Sequence, residues 1–212
     1  MPIYQLTKEI IFPHPSLTTE DGILAIGGDL SPERLILAYS NGIFPWYNED
    51  EPIIWHAPKE RFVLFPENLK LSKSTKQLLK NNPFKITVNE NFEAVISACK
   101  DIHRPNQDGT WITPEMKEAY IKLHHLNYAT SIEVWENKKL VGGLYGVHLG
   151  KVFFGESMFH KVSNASKLAL IHLVKNLEIE MVDCQIHSNH LEKLGAKFVH
   201  LSEFLKTIKS YK

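Results

Sequence analysis

The stretch from residue 130 to residue 159 constrains the fold more than any other part of the chain. "TSIEVW", "LVGGLYGVHL" and "VFFGESMF" are rich in β-branched and aromatic residues, and the short segments "ENKK" and "GK" separate them. Apolar runs joined by turn residues in this way are typical of antiparallel strands. We therefore predict a three-stranded meander at the centre of the protein.

The segments that follow the meander define the fold class. "ASKLALIHLVKNLE" has helical periodicity and begins after Ser163 or Asn164, either of which could be its N-cap. A strand, "MVDCQI", comes next, followed by a short helix that ends at Gly195 and a last strand, "AKFVH". This order predicts a mixed α/β (α+β) fold that resembles the acyltransferase core of the GNAT superfamily. An architectural likeness of this kind does not determine function.

The first third of the chain predicts a smaller unit. Ser31 and Pro32 are suited to start a helix, and Gly42 to end it, before the aromatic loop "IFPWY". Residues 52–70 are extended and interrupted by prolines, so we expect a domain boundary near residue 60. The division is a small N-terminal domain, residues 1–60, and a GNAT-like transferase domain, residues 61–212. Further helices are predicted in "LSKSTKQLLKNN" and "NFEAVISACK" and after Thr113, with a short strand in "FKITV".

Composition limits the possible partners and location. The chain has 24 basic and 24 acidic residues, so a nucleic acid would have to bind a local basic patch rather than a net positive field. No apolar run approaches the length of a membrane span, and the N-terminus lacks the pattern of a signal peptide. Its 2 cysteines do not form a disulfide framework. We expect a cytoplasmic monomer with no membrane partner.

Residues 182–190, "VDCQIHSNH", concentrate polar and reactive groups. Alternation along a strand places Asp183 and Gln185 on one face and Cys184 on the other, where a small buried side chain is expected. The spacing of Cys184, His187 and His190 superficially suggests zinc, but structural zinc needs four ligands and no second cluster is present. We predict no metal. Asp183 and Gln185 either point into a ligand crevice or satisfy a neighbouring loop.

Glu156 is unusual because it lies within the apolar strand "VFFGESMF". Alternation places it on the face of Val152, Phe154 and Met158, and burial of a carboxylate is costly unless it is paired. The partner is either a structural cation such as Lys167 or an amine on a ligand. Gly155 beside it permits close approach of another backbone.

Two loop tryptophans, Trp46 and Trp111, either cover the core or form an apolar pocket wall with Met158. One helical face carries three lysines, which are either solvated or placed to contact phosphate: Lys73, Lys76 and Lys80.

An acetyl-CoA site would need a Gly-rich turn at a helix N-terminus, and the corresponding junction, "MFHKVSNASK", has no glycine. The scaffold therefore suits acyl transfer, but not from that donor.

Several long blocks together resemble one family, the bacterial leucyl/phenylalanyl-tRNA–protein transferases. They are "GILAIGGDLSPERLILAYSNGIFPWY", "GTWIT", "SIEVW", "LVGGLYGVHLG", "GESMF", "NASKLAL" and "VDCQ" followed by "HLEKLGA". The match is collinear from about residue 22 to about residue 198. Blocks of this length are far more specific than a single short motif.

The resemblance implies an activity. Members transfer Leu or Phe, and Met less well, from aminoacyl-tRNA to the N-terminal Arg or Lys of a protein, which marks that protein for degradation. They use no metal or cofactor. By resemblance Asp183 and Gln185 are the catalytic pair and assist proton transfer from the attacking amine.

The resemblance also implies the binding residues. The aminoacyl adenosine would contact ten positions. Three of them, Leu144, Leu173 and Val182, would form the floor of the side-chain pocket, and Ser188 stands where a relative carries Asn. The other six are Trp46, Trp111, Phe153, Gly155, Glu156 and Met158. The body of the tRNA would contact Lys73, Lys76 and Lys80.

Two other functions stay open, an acetyl-CoA-dependent N-acetyltransferase and a non-catalytic module that binds N-terminal residues.

Overall fold

The computed structural model describes residues 2–102 and 110–211. The Gly- and Pro-containing segment "RPNQDGTW", for which the sequence predicts a loop, lies mostly outside these residues. A four-stranded sheet comprises β1 (Tyr4–Leu6), β2 (Ile23–Gly27), β3 (Phe44–Pro45) and β4 (Ile54–His56). A seven-stranded sheet comprises β5 (Glu60–Leu64), β6 (Lys85–Val88), β7 (Ala129–Glu136), β8 (Lys139–Leu149), β9 (Val152–His160), β10 (Met181–Gln185) and β11 (Lys197–His200).

Helices cover the sheets, and most begin where the sequence predicts. They are α1 (Pro32–Ser40), α2 (Lys73–Lys80), α3 (Phe92–Asp101), α4 (Pro114–His125), α5 (Ala165–Asn176), α6 (Asn189–Lys193) and α7 (Leu201–Ser210). Asn164 occupies the N-cap position of α5, but in a left-handed conformation and with no capping hydrogen bond from its side chain. Helix α7 and the strands β1 to β4 were not predicted from the sequence.

The predicted meander is confirmed. Strands β7, β8 and β9 pair antiparallel in sequence order, and Asn137 and Lys138 connect the first two with φ angles of 47° and 63°. Two consecutive residues with positive φ give the type of turn whose twist matches that of a hairpin. The mixed α/β class is therefore confirmed, with the meander inside the larger sheet.

The order of the larger sheet is β11-β5-β10-β9-β8-β7-β6. The neighbours β9 and β10 are parallel because α5 crosses over between them, whereas β5 pairs antiparallel with both β10 and β11. The parallel pairing ends at Asp183 opposite Phe154. Beyond that pair, the two strands separate and leave an opening in the sheet.

Two apolar clusters fill the protein. One contains buried side chains from α1, α3, α4 and α7, including Tyr39, Tyr120 and Phe204. The other packs under α5 and includes Leu170 and Leu173. Neighbouring residues of β9 alternate between the clusters, since Phe154 belongs to the first and Phe153 to the second. The opening between β9 and β10 lies between these two clusters.

Candidate active site

Two adjoining cavities occupy the opening between β9 and β10. The larger, of about 700 Å³, is lined by aromatic and polar side chains, among them Trp46, Glu51, His56, Trp111 and Gln185. The smaller, of about 260 Å³, is mainly apolar and is lined by Leu144, Phe153, Met158, Leu170 and Val182. Gly155, Glu156 and Cys184 line both cavities and so form their common boundary.

A β-bulge directs Glu156 to this boundary. Pairing of β8 with β9 passes from Tyr145 opposite Ser157 to Gly146 opposite Gly155, which leaves Glu156 as the extra residue. A bulge reverses the alternation of side chains beyond it. Met158 therefore packs with the α5 cluster, while Phe154 packs with the other. The prediction that Glu156, Phe154 and Met158 share a face was wrong for Met158.

Glu156 is 8% exposed, and three side chains donate hydrogen bonds to it. The Tyr39 hydroxyl donates to Oε1 at 2.7 Å, and the Tyr120 hydroxyl donates to Oε2 at 2.9 Å. The amide of Gln185 also donates to Oε1, at 2.9 Å. The suggested partner Lys167 was wrong, because its Nζ donates to Asn164 Oδ1 instead.

Burial raises the pKa of Glu156 from its ordinary value to about 7. The three donated hydrogen bonds lower this pKa and so oppose the effect of burial, while the nearby charge of Asp183 raises it further. The pKa values of Tyr39 and Tyr120 are well above the ordinary value, chiefly through burial and then through the charge of Glu156. At neutral pH both phenols therefore keep their protons, whereas Glu156 can lose or gain one.

Asp183 differs from Glu156 because its partner is a cation. Arg61 Nε donates to both carboxylate oxygens at 2.9 and 3.1 Å, and Nη2 donates to Oδ2 at 2.8 Å. The guanidinium lies between the rings of Phe44 and Phe204, 4.6 and 4.8 Å from their centroids, and its Nη1 donates to the Gly42 carbonyl. Both members of the pair are fully buried, and Asp183 lines neither of the two cavities.

Gln185 lies beyond a register shift in β10 and has a φ angle of 64°, which non-glycine residues seldom adopt. Its backbone N–H donates to Asp183 Oδ1 at 2.9 Å, so Asp183 holds the backbone at this position. Its side chain enters the larger cavity, with the amide bonded to Glu156. Of the predicted catalytic pair, only Gln185 reaches the cavity.

Cys184 and the nearby histidines do not form the sites that their spacing suggests. Cys184 is half-buried at the boundary of the cavities rather than fully inside the core, and burial raises the pKa of its thiol well above the ordinary range. His187 instead contacts Glu192 and stacks on Phe198. Within residues 2–102 and 110–211, no group of three His, Cys, Asp or Glu side chains could hold a metal ion.

The structure brings together most of the predicted binding residues. Trp46 and Trp111 line the larger cavity, and the smaller one is lined by Leu144, Phe153, Met158, Val182 and Ser188. Leu173 is the exception, because it packs behind the cavity in the α5 cluster, and Leu170 lines the wall instead. Three exposed lysines of α2 line neither cavity: Lys73, Lys76 and Lys80.

Sequence reasoning missed three residues of the site. Tyr39 and Tyr120 lie in two segments for which only helices are predicted, and nothing in their spacing indicates a shared carboxylate partner. Arg61 had a signal, because "RFVLF" places a basic residue at the start of a run of apolar residues. Such a residue within a buried strand requires an acidic partner.

Comparison with known proteins identifies the family of this chain. Residues 63–209 match the family described as "Leucyl/phenylalanyl-tRNA protein transferase", and residues 28–59 match the N-terminal domain of that family. The chain belongs to this family. It is therefore a transferase enzyme, and the resemblance drawn from its sequence blocks is confirmed.

Members of the family from several bacteria are similar along almost the whole chain. The leucyl/phenylalanyl-tRNA–protein transferase of Syntrophus aciditrophicus (strain SB) is 56% identical over 99% of this chain and 89% of its own length. The leucyl/phenylalanyl-tRNA–protein transferase of Christiangramia forsetii is 54% identical over 96% of this chain and 99% of its own length. A GCN5-related N-acetyltransferase from Kribbella flavida has a TM-score of 0.39 and 11% identity, over 78% of this chain and 60% of its own.

Among the described residues, no helix is long and apolar enough to span a membrane.

Proposed function

We propose that this transferase moves leucine or phenylalanine, and methionine less well, from aminoacyl-tRNA to the N-terminal Arg or Lys of a protein, marking that protein for degradation. One observation carries the proposal: an apolar cavity and a larger polar, aromatic cavity meet at Glu156. Transfer between two substrates requires two binding spaces that share a boundary at the reacting atoms.

The smaller cavity suits the side chain of the donor. Its lining by Leu144, Phe153, Met158 and Val182 offers apolar surface, and its volume of about 260 Å³ suits a single leucine or phenylalanine side chain. Trp46 and Trp111 in the adjoining cavity provide aromatic faces on which the terminal adenosine of the tRNA could stack.

The larger cavity suits a cationic acceptor. Among the residues that the structure describes, those that line this cavity include the carboxylates of Glu51 and Glu156 but no Lys or Arg. His56 adds no positive charge at neutral pH, because burial lowers its pKa. An N-terminal Arg or Lys would therefore enter a region of negative potential.

The chemistry needs neither a nucleophilic side chain nor a cofactor. An aminoacyl ester is already activated, and the α-amine of the acceptor has a reference pKa near ~8, so a modest fraction is deprotonated at neutral pH. Among the described residues, no hydrogen bond reaches the Gln185 carboxamide oxygen, which can accept one from the attacking amine. Asp183 would act by holding Gln185 in place.

Three further parts of the proposal concern the molecule as a whole. We place the boundary between a small N-terminal domain and a GNAT-like transferase domain near residue 60. The three exposed lysines of α2 would contact the tRNA body. We place the protein in the cytoplasm, as a monomer.

The direct test supplies leucyl-tRNA labelled on leucine together with a peptide that begins with Arg. The expected result is a labelled peptide, with the label lost when the donor is first treated with ribonuclease. A peptide that begins with Glu, or one with an acetylated N-terminus, should remain unlabelled. Transfer of acetyl from acetyl-CoA would favour an N-acetyltransferase, and peptide binding without any transfer would favour a binding module.

A further inference from the structure

We propose that Glu156 is the group that accepts the proton from the attacking amine, and that Tyr39 and Tyr120 position it. The inference rests on the proposed function, because it assigns a role within aminoacyl transfer. Asp183 keeps the role of positioning Gln185 and does not accept the proton of the amine.

The location of the two carboxylates separates their roles. Glu156 lines both cavities, and so lies where a donor ester and an acceptor amine would meet. Asp183 is 0% exposed, lines neither cavity, and has both oxygens bonded to Arg61. A proton acceptor must be within hydrogen-bond reach of the amine, and of these two carboxylates Glu156 is the one that lines the cavities.

The hydrogen bonds around Glu156 accommodate an additional proton. Tyr39, Tyr120 and Glu156 form a closed ring of three contacts, because the two hydroxyls also contact each other. Two neutral phenols supply only two protons for these three contacts. A proton on Glu156 supplies the third, since one hydroxyl can then donate to the other. The ring is therefore complete in the protonated state and lacks one donor in the ionised state.

The proposed step balances as follows. The amine nitrogen attacks the ester carbonyl carbon, a C–N bond forms, and the carbonyl oxygen takes the π electron pair. Glu156 removes one proton from the resulting ammonium group. As the carbonyl reforms, the bond to the ribose oxygen breaks, and that oxygen leaves with the proton from Glu156. The carboxylate is thus regenerated, with no net change in the enzyme.

The charges around Glu156 determine how its protonation depends on pH. Titratable groups lie near it on five elements: Tyr39 on α1, Tyr120 on α4, Tyr145 on β8, Asp183 on β10, and Arg61, the partner of Asp183, on β5. Arg61 is bonded to Asp183 and does not contact Glu156. Protonation of Glu156 near pH 7 should therefore appear in the rate of transfer.

The first test replaces the acceptor without changing its shape. Glu156→Gln cannot take a proton, so the single-turnover rate of leucine transfer should fall by about 10²–10⁴-fold. Binding of leucyl-tRNA should change much less than turnover. Glu118→Gln is the control, because it removes an exposed carboxylate from α4, the helix that carries Tyr120. Melting curves for both variants confirm that they are folded.

The second test detects a positioning role through pH. The wild-type rate should rise with pH through a midpoint near 7, because protonated Glu156 cannot accept a proton. Tyr120→Phe removes a hydrogen bond that lowers the pKa of Glu156, so this midpoint should move to higher pH. Tyr128→Phe, at an exposed tyrosine, should leave the midpoint in place. A merely structural role for Tyr120 would lower the rate equally at every pH.

The outcomes separate the inference from the function on which it rests. If the wild type transfers no leucine, the proposed function and the inference both fail. If the wild type and a folded Glu156→Gln variant transfer at similar rates, only the inference is overturned. An unchanged midpoint in Tyr120→Phe overturns the positioning role of that residue.

Discussion

At the scale of single residues, two buried carboxylates in adjacent strands have opposite surroundings. Asp183 faces a guanidinium that is held between two aromatic rings, and Glu156 faces two phenols and an amide. A buried carboxylate opposite a cation is suited to holding structure, and one opposite neutral donors is suited to exchanging a proton. These surroundings, more than residue type, distinguish a positioning group from a reacting one.

The raised pKa of Glu156 predicts a specific dependence of stability on pH. The folded protein binds its proton more tightly than the unfolded chain, so this residue lowers stability as the pH rises from about 4.5 to about 7. Glu156→Gln should remove that decline. The difference in melting temperature between variant and wild type should therefore widen across this window and stay constant above it. A constant difference at every pH from 4.5 to 8 would contradict the raised pKa.

The Cys184 thiol should prove dispensable for the chemistry. Burial keeps it protonated, and a protonated thiol is a poor nucleophile. We expect Cys184→Ala to retain most of the transfer rate, at a cost in unfolding free energy of about 1 kcal/mol. Single-turnover rates and urea denaturation measure both quantities. Loss of activity in a folded variant would show that the thiol takes part.

At the scale of elements, the sequence predicted periodicity well and irregularity poorly. Helices α2 to α5 and the meander follow from repeating apolar positions, and each is present. The bulge at Glu156 and the left-handed backbone at Gln185 break that repetition, and both depend on contacts with distant segments. The side chains of Glu156 and Gln185, to which we assign roles in transfer, lie at these breaks. Sequence therefore identified Asp183, Gln185 and Glu156 as unusual, but could not pair them with Arg61, Tyr39 or Tyr120.

The α7 helix, absent from the sequence predictions, contributes to the site through Phe204. This ring is fully buried and covers one face of Arg61, the partner of Asp183. We expect Phe204→Ala to lower the unfolding free energy by about 3–5 kcal/mol. Phe198→Ala is the matched control, because that ring is 51% exposed and its loss should cost much less. Equal costs in chemical denaturation would show that α7 does not support the site.

The α2 helix carries a prediction about tRNA. The lysines of this helix, Lys73, Lys76 and Lys80, are exposed, and the helix does not line the two cavities. Replacing all three with Ala should weaken tRNA binding and reduce its salt dependence by up to about two to three phosphate contacts. Titrations at several salt concentrations provide the slope. An unchanged slope would mean that these side chains are only solvated.

At the scale of the whole molecule, the site lies where separate segments converge. The larger cavity combines residues from the aromatic segment around Trp46 with Gln185 at the end of β10, and Arg61 in β5 contacts the Gly42 carbonyl. The smaller cavity lies within the sheet and under α5. An architecture with two unequal cavities is what a transfer between a bulky activated donor and a second substrate requires.

The most direct test of this division enlarges only the apolar cavity. Met158 lines the smaller cavity and not the larger one, so Met158→Ala should admit bulkier donors while leaving the acceptor site unchanged. We predict that the ratio of phenylalanine to leucine transfer, measured in single-turnover competition, rises about tenfold, since one methylene in a pocket is worth about 1–3 kcal/mol. The KM of an Arg-initiated peptide should stay the same. An unchanged ratio in a folded variant would contradict the assignment of this cavity to the donor side chain.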